Sequence, residues 1–283
     1  MINVEMISSE VAVTGGKLYV RQWHPKNINS ITPILLVHDS LGCVEMWQDF
    51  PEKLANAFGR TVIAYDRLGF GQSTARQDVM SDGFIDQEAQ CVFPELVAAL
   101  NLKRVLLMGH SVGGGMAIAM AGNTTNPELI EAVVTISAQA FVEEKTIEGI
   151  KKAQDYFHTQ DALAKLEKYH GERAKWVLDS WINTWLSPSF SAWNLDEYLA
   201  NIRCPVLAIH GDEDEYGSTD FPIHIAYKTK GYSQAQIMEN TKHTPHREKP
   251  LEVLALISNF FNSIEALESG ETVAVQASFS VAS

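Results

Sequence analysis

Along most of the chain, short apolar runs of the kind that form buried strands alternate with segments of helical period. Two opening strands are read at residues 10–13 and 17–23, joined at Gly15-Gly16, a pair suited to a hairpin turn. Four runs suited to buried parallel strands follow, at 33–37, 61–65, 104–108 and 131–136. Helical patterns separate them around 47–58, 84–100 and 112–121. The alternation resumes with a strand at 205–210, a helix near 222–228, a strand at 235–238 and a closing helix from Leu251. Repeated strand–helix–strand units predict an α/β fold, a mostly parallel sheet with helices on both faces.

Residues 142–200 break this alternation, and the interval is too long for a structureless loop inside a compact domain. Ala174, Val177, Leu178, Trp181, Ile182 and Trp185 recur at helical spacing. Asn194 with Glu197 three residues on suggests a capping box that opens a last short helix. The segment reads as a helical cap inserted between two strands of a core made of 1–141 and 201–266. Residues 267–283, small and polar with scattered valines, read as a disordered tail.

Charge and composition narrow the function. The formal net charge is −13 with no basic run, a surface that repels phosphate backbones and argues against nucleic-acid binding. The N-terminus shows no signal-peptide pattern. No apolar run approaches the ~20 residues of a membrane helix, so no membrane span is expected. The three cysteines, Cys43, Cys91 and Cys204, are odd in number and far apart. They fit small buried residues in a reducing cytoplasm better than a disulfide framework or a zinc site. No metal, nucleotide or flavin motif occurs, so no cofactor is expected. The pattern does not specify an oligomeric state.

Chemistry concentrates after three of the predicted strands. Gly109-His110-Ser111-Val112-Gly113 follows one strand and precedes a helix of small residues. A serine hydroxyl is a weak nucleophile until a sharp strand-to-helix turn presents it to a base, and G-x-S-x-G makes such a turn. Gly211-Asp212-Glu213-Asp214-Glu215 follows the strand at 205–210, where a carboxylate can reach the crevice at the strand ends. Composition alone does not choose among these acids. Glu143 and Glu144, after the strand at 131–136, are the fallback. Of nine histidines, His243 is singled out by its place after the strand at 235–238, giving the order serine, acid, histidine. His246 is its rival.

Together these residues resemble the α/β-hydrolase superfamily from about Val13 to Phe261. His38-Asp39-Ser40-Leu41-Gly42 sits where that family has His-Gly-x-x-Gly, and Trp47 follows at the expected remove. Residues 66–73, Asp-Arg-Leu-Gly-Phe-Gly-Gln-Ser, resemble its Asp-x-x-Gly-x-Gly-x-Ser loop, expected to be structural with Asp66 pinning it. The family's Gly-x-x-Asp pattern implies Asp214 as the acid. Its Gly-His-x-Pro-x-x-Glu-x-Pro pattern implies His243 as the base, followed by Pro245, Glu248 and Pro250. Segments such as Trp185-Leu186-Ser187-Pro188 are similar to a bacterial branch whose members generally carry no assigned substrate.

The resemblance implies an eight-stranded α/β-hydrolase fold with a helical cap, and a triad of Ser111, Asp214 and His243. It implies an oxyanion hole made by the amides of Val112 and Ser40. Asp39 and Lys242 depart from the family's glycines, and Asp39 is expected to point outward and hydrogen-bond its own loop. The expected activity is cleavage of a small, largely hydrophobic ester, lactone or thioester. Trp181 or Trp185 is expected to form part of the pocket wall. Carbon–carbon bond hydrolysis, acyl transfer and a non-hydrolytic lyase or receptor are the competing functions.

Overall fold

In a computed structural model, which describes residues 4–269 and 280–281, the apolar runs become one sheet. Its strands are β1 (Val4–Val13), β2 (Gly16–Pro25), β3 (Ile34–Val37), β4 (Val62–Tyr65), β5 (Val105–His110), β6 (Ile130–Ile136), β7 (Val206–Gly211) and β8 (Ser233–Met238). A two-residue β9 (Ser280–Val281) pairs with β8. The order is β1-β2-β4-β3-β5-β6-β7-β8-β9, antiparallel at β1, β2 and β4 and parallel thereafter. Most of the expected tail lies outside the described residues.

Eleven helices pack around this sheet among the described residues: α1 (Phe50–Phe58), α2 (Phe84–Gln87), α3 (Phe93–Ala99), α4 (Val112–Asn123), α5 (Glu144–Phe157), α6 (Gln160–His170), α7 (Ala174–Trp185), α8 (Asp196–Leu199), α9 (Asp220–Lys228), α10 (Pro245–Glu248) and α11 (Pro250–Glu268). A π turn, Glu88–Val92, joins α2 to α3. Because side chains alternate along a strand, β3 sends Leu35 and Val37 into one core and Ile34 and Leu36 into the other. The first core is shared with α3, α4 and α9. The second takes Phe50 and Leu54 of α1 and Ile257 and Phe260 of α11.

Residues 142–200 hold four helices, α5 to α8, between β6 and β7. The helical period at Ala174–Trp185 is α7 itself. α5 and α6 carry too few apolar positions to declare themselves in the sequence. The capping box at Asn194 is not formed. Asn194 Oδ1 accepts the amide of Asp196 at 3.0 Å, a local turn, and Leu195 occupies the N-cap of α8. Nor are all three cysteines buried, since Cys91 lies exposed on the π turn.

The loop at residues 66–73 ties this insertion to the sheet. Asp66 accepts the amides of Val44 at 2.6 Å and Gln72 at 2.7 Å. Burial pushes its pKa up to about 6 against these bonds. Gly69, at φ +93°, leaves the space into which Trp176 of α7 packs. His170, at the end of α6, accepts the amide of Gly71 at 3.0 Å and donates to the Leu41 carbonyl at 2.9 Å.

The glycines flanking Ser111 are there for backbone clearance. A Cβ on Gly113 would stand 2.1 Å from the Val37 carbonyl oxygen, and one on Gly109 would stand 2.1 Å from the Gly113 carbonyl oxygen. Neither neighbour is a flexible side chain, so relief requires moving β3, β5 or α4. Gly113→Ala is expected to cost about 3 kcal/mol or more, by forcing backbone apart in a packed core. A urea melt should show it, and a midpoint unchanged from wild type would contradict the packing.

Candidate active site

Five strand ends converge on one cleft. Ser111 sits at the turn from β5 into α4, with φ +54° and ψ −129°. A non-glycine residue in that region stores about 1–3 kcal/mol of strain and persists only where the surroundings enforce it. Here its amide donates to the Ile136 carbonyl at 2.8 Å, and its carbonyl accepts the Gly114 amide at 2.8 Å. The neighbouring Val112 begins α4, where an amide has no partner within the helix.

Asp214 follows β7 and has no exposure to water. It accepts the Tyr216 amide at 2.7 Å and His243 Nδ1–H at 2.8 and 2.9 Å, and His210 Nε2 lies 3.1 Å away. Burial opposes its charge, but the charges and hydrogen bonds of His243 and His210 outweigh it and hold the pKa well below the usual carboxylate range. Bonding through Nδ1 leaves His243 Nε2 without a protein partner among the described residues. The His243 pKa is raised. Burial works against the imidazolium, and Asp214, with Asp39 and Glu215, outweighs it.

Of the other acids, Glu215 accepts the His243 amide at 3.3 Å, outside the imidazole's own bond to Asp214. Asp212 accepts the Thr241 amide at 3.2 Å, and Glu143 grips the amide and hydroxyl of Ser218 at 2.6 and 2.9 Å. Glu144 opens α5. His246 is buried among the rings of Trp47, Phe50 and His110, and burial holds its pKa well below the ordinary value. Glu248 fixes the His243 turn by accepting the amides of Lys242 and Thr244 at 2.9 and 3.1 Å.

The cleft is lined by Ser111 and His243 together with Asp39, Ser40, Trp181 and Trp185. Trp185 is buried against Phe190 and Trp193, whereas Trp181 is half-buried and lies edge-on to Tyr216. The Ser111 hydroxyl donates to Gln139 Oε1 at 3.4 Å and not to His243. Gln139, Thr146, Ile150 and Tyr216 also line the cleft and were not singled out by sequence. Gln139 stands three residues beyond β6, at a strand end where α/β sheets place their ligands, so its position was the available signal.

Asp39 differs from expectation. One carboxylate oxygen does accept the Leu41 amide of its own loop, at 2.9 Å. The other turns inward to His110 Nδ1, 3.3 Å away, in space that the glycine at 42 leaves open. His110 Nε2 meanwhile donates to the His243 carbonyl at 2.8 Å. An imidazole that donates from Nε2 has nothing to offer from Nδ1 unless it holds a second proton. Burial disfavours the Asp39 carboxylate, but the His110 bond and charge, with Arg247 and His38, hold its pKa well below the usual range. Burial lowers the His110 pKa against the opposing pull of Asp39, so the inward turn sets a carboxylate against a buried imidazole beneath the His243 backbone.

A mostly parallel sheet with a strained serine at a strand–helix turn and a carboxylate-bound histidine three strands away marks the hydrolase class of α/β proteins. The comparisons agree. A sequence profile for the α/β-hydrolase fold matches residues 32–171. The (E)-2-((N-methylformamido)methylene)succinate hydrolase of Acinetobacter baylyi is 24% identical over 238 residues, covering 78% of this chain and 87% of its own length. The human serine hydrolase BPHL is 27% identical over 247 residues, covering 84% and 81%. The solved structure of 2-hydroxy-6-oxo-6-phenylhexa-2,4-dienoate hydrolase from Rhodococcus superposes with a TM-score of 0.75 at 13% identity, covering 92% and 99%. The chain belongs to the α/β-hydrolase superfamily and is a hydrolase. No helix among the described residues is long and apolar enough to cross a membrane.

An NMR titration of the His243 ring should give a midpoint above 6.5. Asp39→Asn removes one of the charges that raise it and should move the midpoint down. Because the folded pKa exceeds the unfolded one, the stability contributed by this ionisation is full below about pH 6.5 and is lost as pH rises through the folded value. An unmoved midpoint in Asp39→Asn would refute the electrostatic coupling.

Proposed function

We propose that the protein is a serine hydrolase that cleaves a small, largely hydrophobic carboxylic ester, or a lactone or thioester, through an acyl-enzyme. The observation that carries this is the shared cleft. Ser111, on its strained turn, opens into the same space as His243, whose Nδ1 is held by the fully buried Asp214. Buried Asp214 fixes the imidazole tautomer that leaves Nε2 as the base.

In this mechanism Ser111 Oγ attacks the carbonyl carbon as His243 Nε2 takes its proton. The developing oxyanion is held by the amides of Val112 and Ser40. His243, now an imidazolium stabilised by Asp214, gives the proton to the leaving oxygen or sulfur as the tetrahedral intermediate collapses. Water then attacks the acyl-Ser111 ester along the same route, and the acid product leaves. Helices α5 to α8 serve as a cap whose underside, with Trp181 and Trp185, supplies the apolar wall. Their joining of the acid turn supports this, since Thr146 Oγ1 donates to the Tyr216 carbonyl at 2.7 Å.

Ser111→Ala should lose fluorophosphonate labelling and all p-nitrophenyl ester turnover with its melting temperature kept. Near wild-type turnover would refute the nucleophile. Asp214→Asn should lower kcat by about 10⁴ by stabilising the wrong imidazole tautomer. Asp212→Asn should cost far less, and the reverse ranking in steady-state kinetics would transfer the role.

A further inference from the structure

The charge on the walls of the cleft bears on the charge of its substrate. Among the described residues that line it, Asp39 is the single carboxylate, and no lysine or arginine lines it. The Asp39 side chain keeps 20% of its exposure. Its carboxyl is held well below the usual range and stays ionised. Ser40, Ser111 and Gln139 contribute only neutral polar groups. His243 can be positive, but it is neutral when it acts as base.

The neighbouring cations are engaged outside the cleft. Arg67 donates to the Asp39 carbonyl at 2.8 Å and stacks 4.1 Å from the centre of the Phe70 ring. Arg247 donates to the Met46 carbonyl. Lys145 donates to the Gly217 carbonyl at 3.0 Å, and Lys242 is exposed. Two further acids stand behind the same walls, Glu215 on the His243 amide and Glu143 on the Ser218 amide.

An anion entering this space would leave water without meeting a countercharge, which is costly in itself. It would also meet Asp39. Asp39 adjoins Ser40, the proposed oxyanion donor, so a charge carried near the scissile bond is carried near Asp39 as well. Two like charges about 7 Å apart repel enough to lower affinity by about three- to fiftyfold, between the dielectric of water and that of a protein surface. A cation gains by the same interaction. The rings of Trp181, Trp185 and Tyr216 favour it further, because the face of an aromatic ring is negative.

Resting on the ester-hydrolase function above, we propose that the substrate carries no negative charge near its ester bond, and that Asp39 is the residue that rejects one. Asp39 is thus a specificity determinant, set in a position where its charge also bears on the oxyanion.

The test is kcat/KM, read by acid release, on three acetates of similar size and different charge: acetylcholine, 3,3-dimethylbutyl acetate and 4-acetoxybutanoate. Wild type should handle the anionic ester about tenfold or more below the neutral one, and the cationic ester at least as well as the neutral one. Asp39→Asn should raise the anionic-to-neutral ratio by about tenfold and lower the cationic-to-neutral ratio. Ratios cancel any change that the variant makes in His243. The parent alcohols, choline, 3,3-dimethylbutanol and 4-hydroxybutanoate, should protect Ser111 from a fluorophosphonate in the same ranking, which needs no turnover. A wild-type enzyme that cleaves or binds the anionic member as well as the neutral one would overturn the exclusion while leaving the hydrolase mechanism standing. A folded Asp39→Asn with unchanged ratios would overturn the role of Asp39. Asp39→Gly, which restores the motif's glycine, takes its place if Asp39→Asn fails to fold, and the wild-type series decides the exclusion in either case. Absence of both labelling and turnover would overturn the ester-hydrolase reading and this inference together.

Discussion

Removing a carboxylate wholly from water costs several kcal/mol unless hydrogen bonds and opposite charge replace its hydration. Asp214 is in that position, and much of the cleft can be traced to the replacement. The Tyr216 amide covers one oxygen and so fixes the turn after β7. His243 covers the other and is thereby held through Nδ1, with Nε2 left toward the cleft. His210, one helical turn's span earlier in sequence, closes the remaining side at 3.1 Å. The start of α5 braces the same turn through Thr146 and Glu143, so the inserted helices support the acid as well as roofing the cleft.

A second buried charge sits under the histidine. Asp39 occupies a position where the superfamily's motif has glycine, and an uncompensated carboxylate beside the proposed oxyanion site would oppose the charge formed there. Its pairing with His110 changes that balance. Asp39 lies against His110 Nδ1 and pulls the imidazole's pKa up against its burial, while His110 Nε2 holds the His243 carbonyl. Gly42, the second glycine of the same motif, supplies the empty space in which the Asp39 carboxylate lies. One substitution in the loop is thus absorbed by two neighbours, one electrostatic and one steric.

The sheet was legible because its central strands, β3 to β7, are almost wholly buried and read as apolar runs. Seven of the eight strands were off by no more than two residues at either end. The first strand began six residues too late, because Met6, Ile7 and the polar residues between Val4 and Val11 form an exposed edge that carries no burial pattern. α7 declared itself by tryptophan and aliphatic spacing, whereas α5 and α6 are mostly polar and stayed hidden. In the cleft, Ser111, Asp214 and His243 were recognisable because each follows a strand within a motif. Gln139, Thr146 and Tyr216 were not, since nothing local in sequence marks a residue whose meaning comes from what folds over it. The inward turn of Asp39 was missed for the same reason: its partner, His110, is 71 residues away.

The resting position of Ser111 completes the picture of a cleft that is organised but not closed. Its hydroxyl bond to Gln139 is long, at 3.4 Å, and lies near the limit of useful hydrogen bonding. Such a bond contributes little, so turning the hydroxyl toward His243 costs little. The strain at φ +54° is different in kind, because it is fixed by backbone bonds to β6 and by the closeness of Gly113 to β3. The backbone that presents the Ser111 hydroxyl is therefore held by the core, while the hydroxyl itself is held by one long bond. Rigid amides at the start of α4 can meet a developing oxyanion without reorganising, and a free hydroxyl can alternate between a resting acceptor and a base. The division follows from the fold, since α4 and the strand ends belong to the packed core, and Gln139 and His243 come from the loops after β6 and β8.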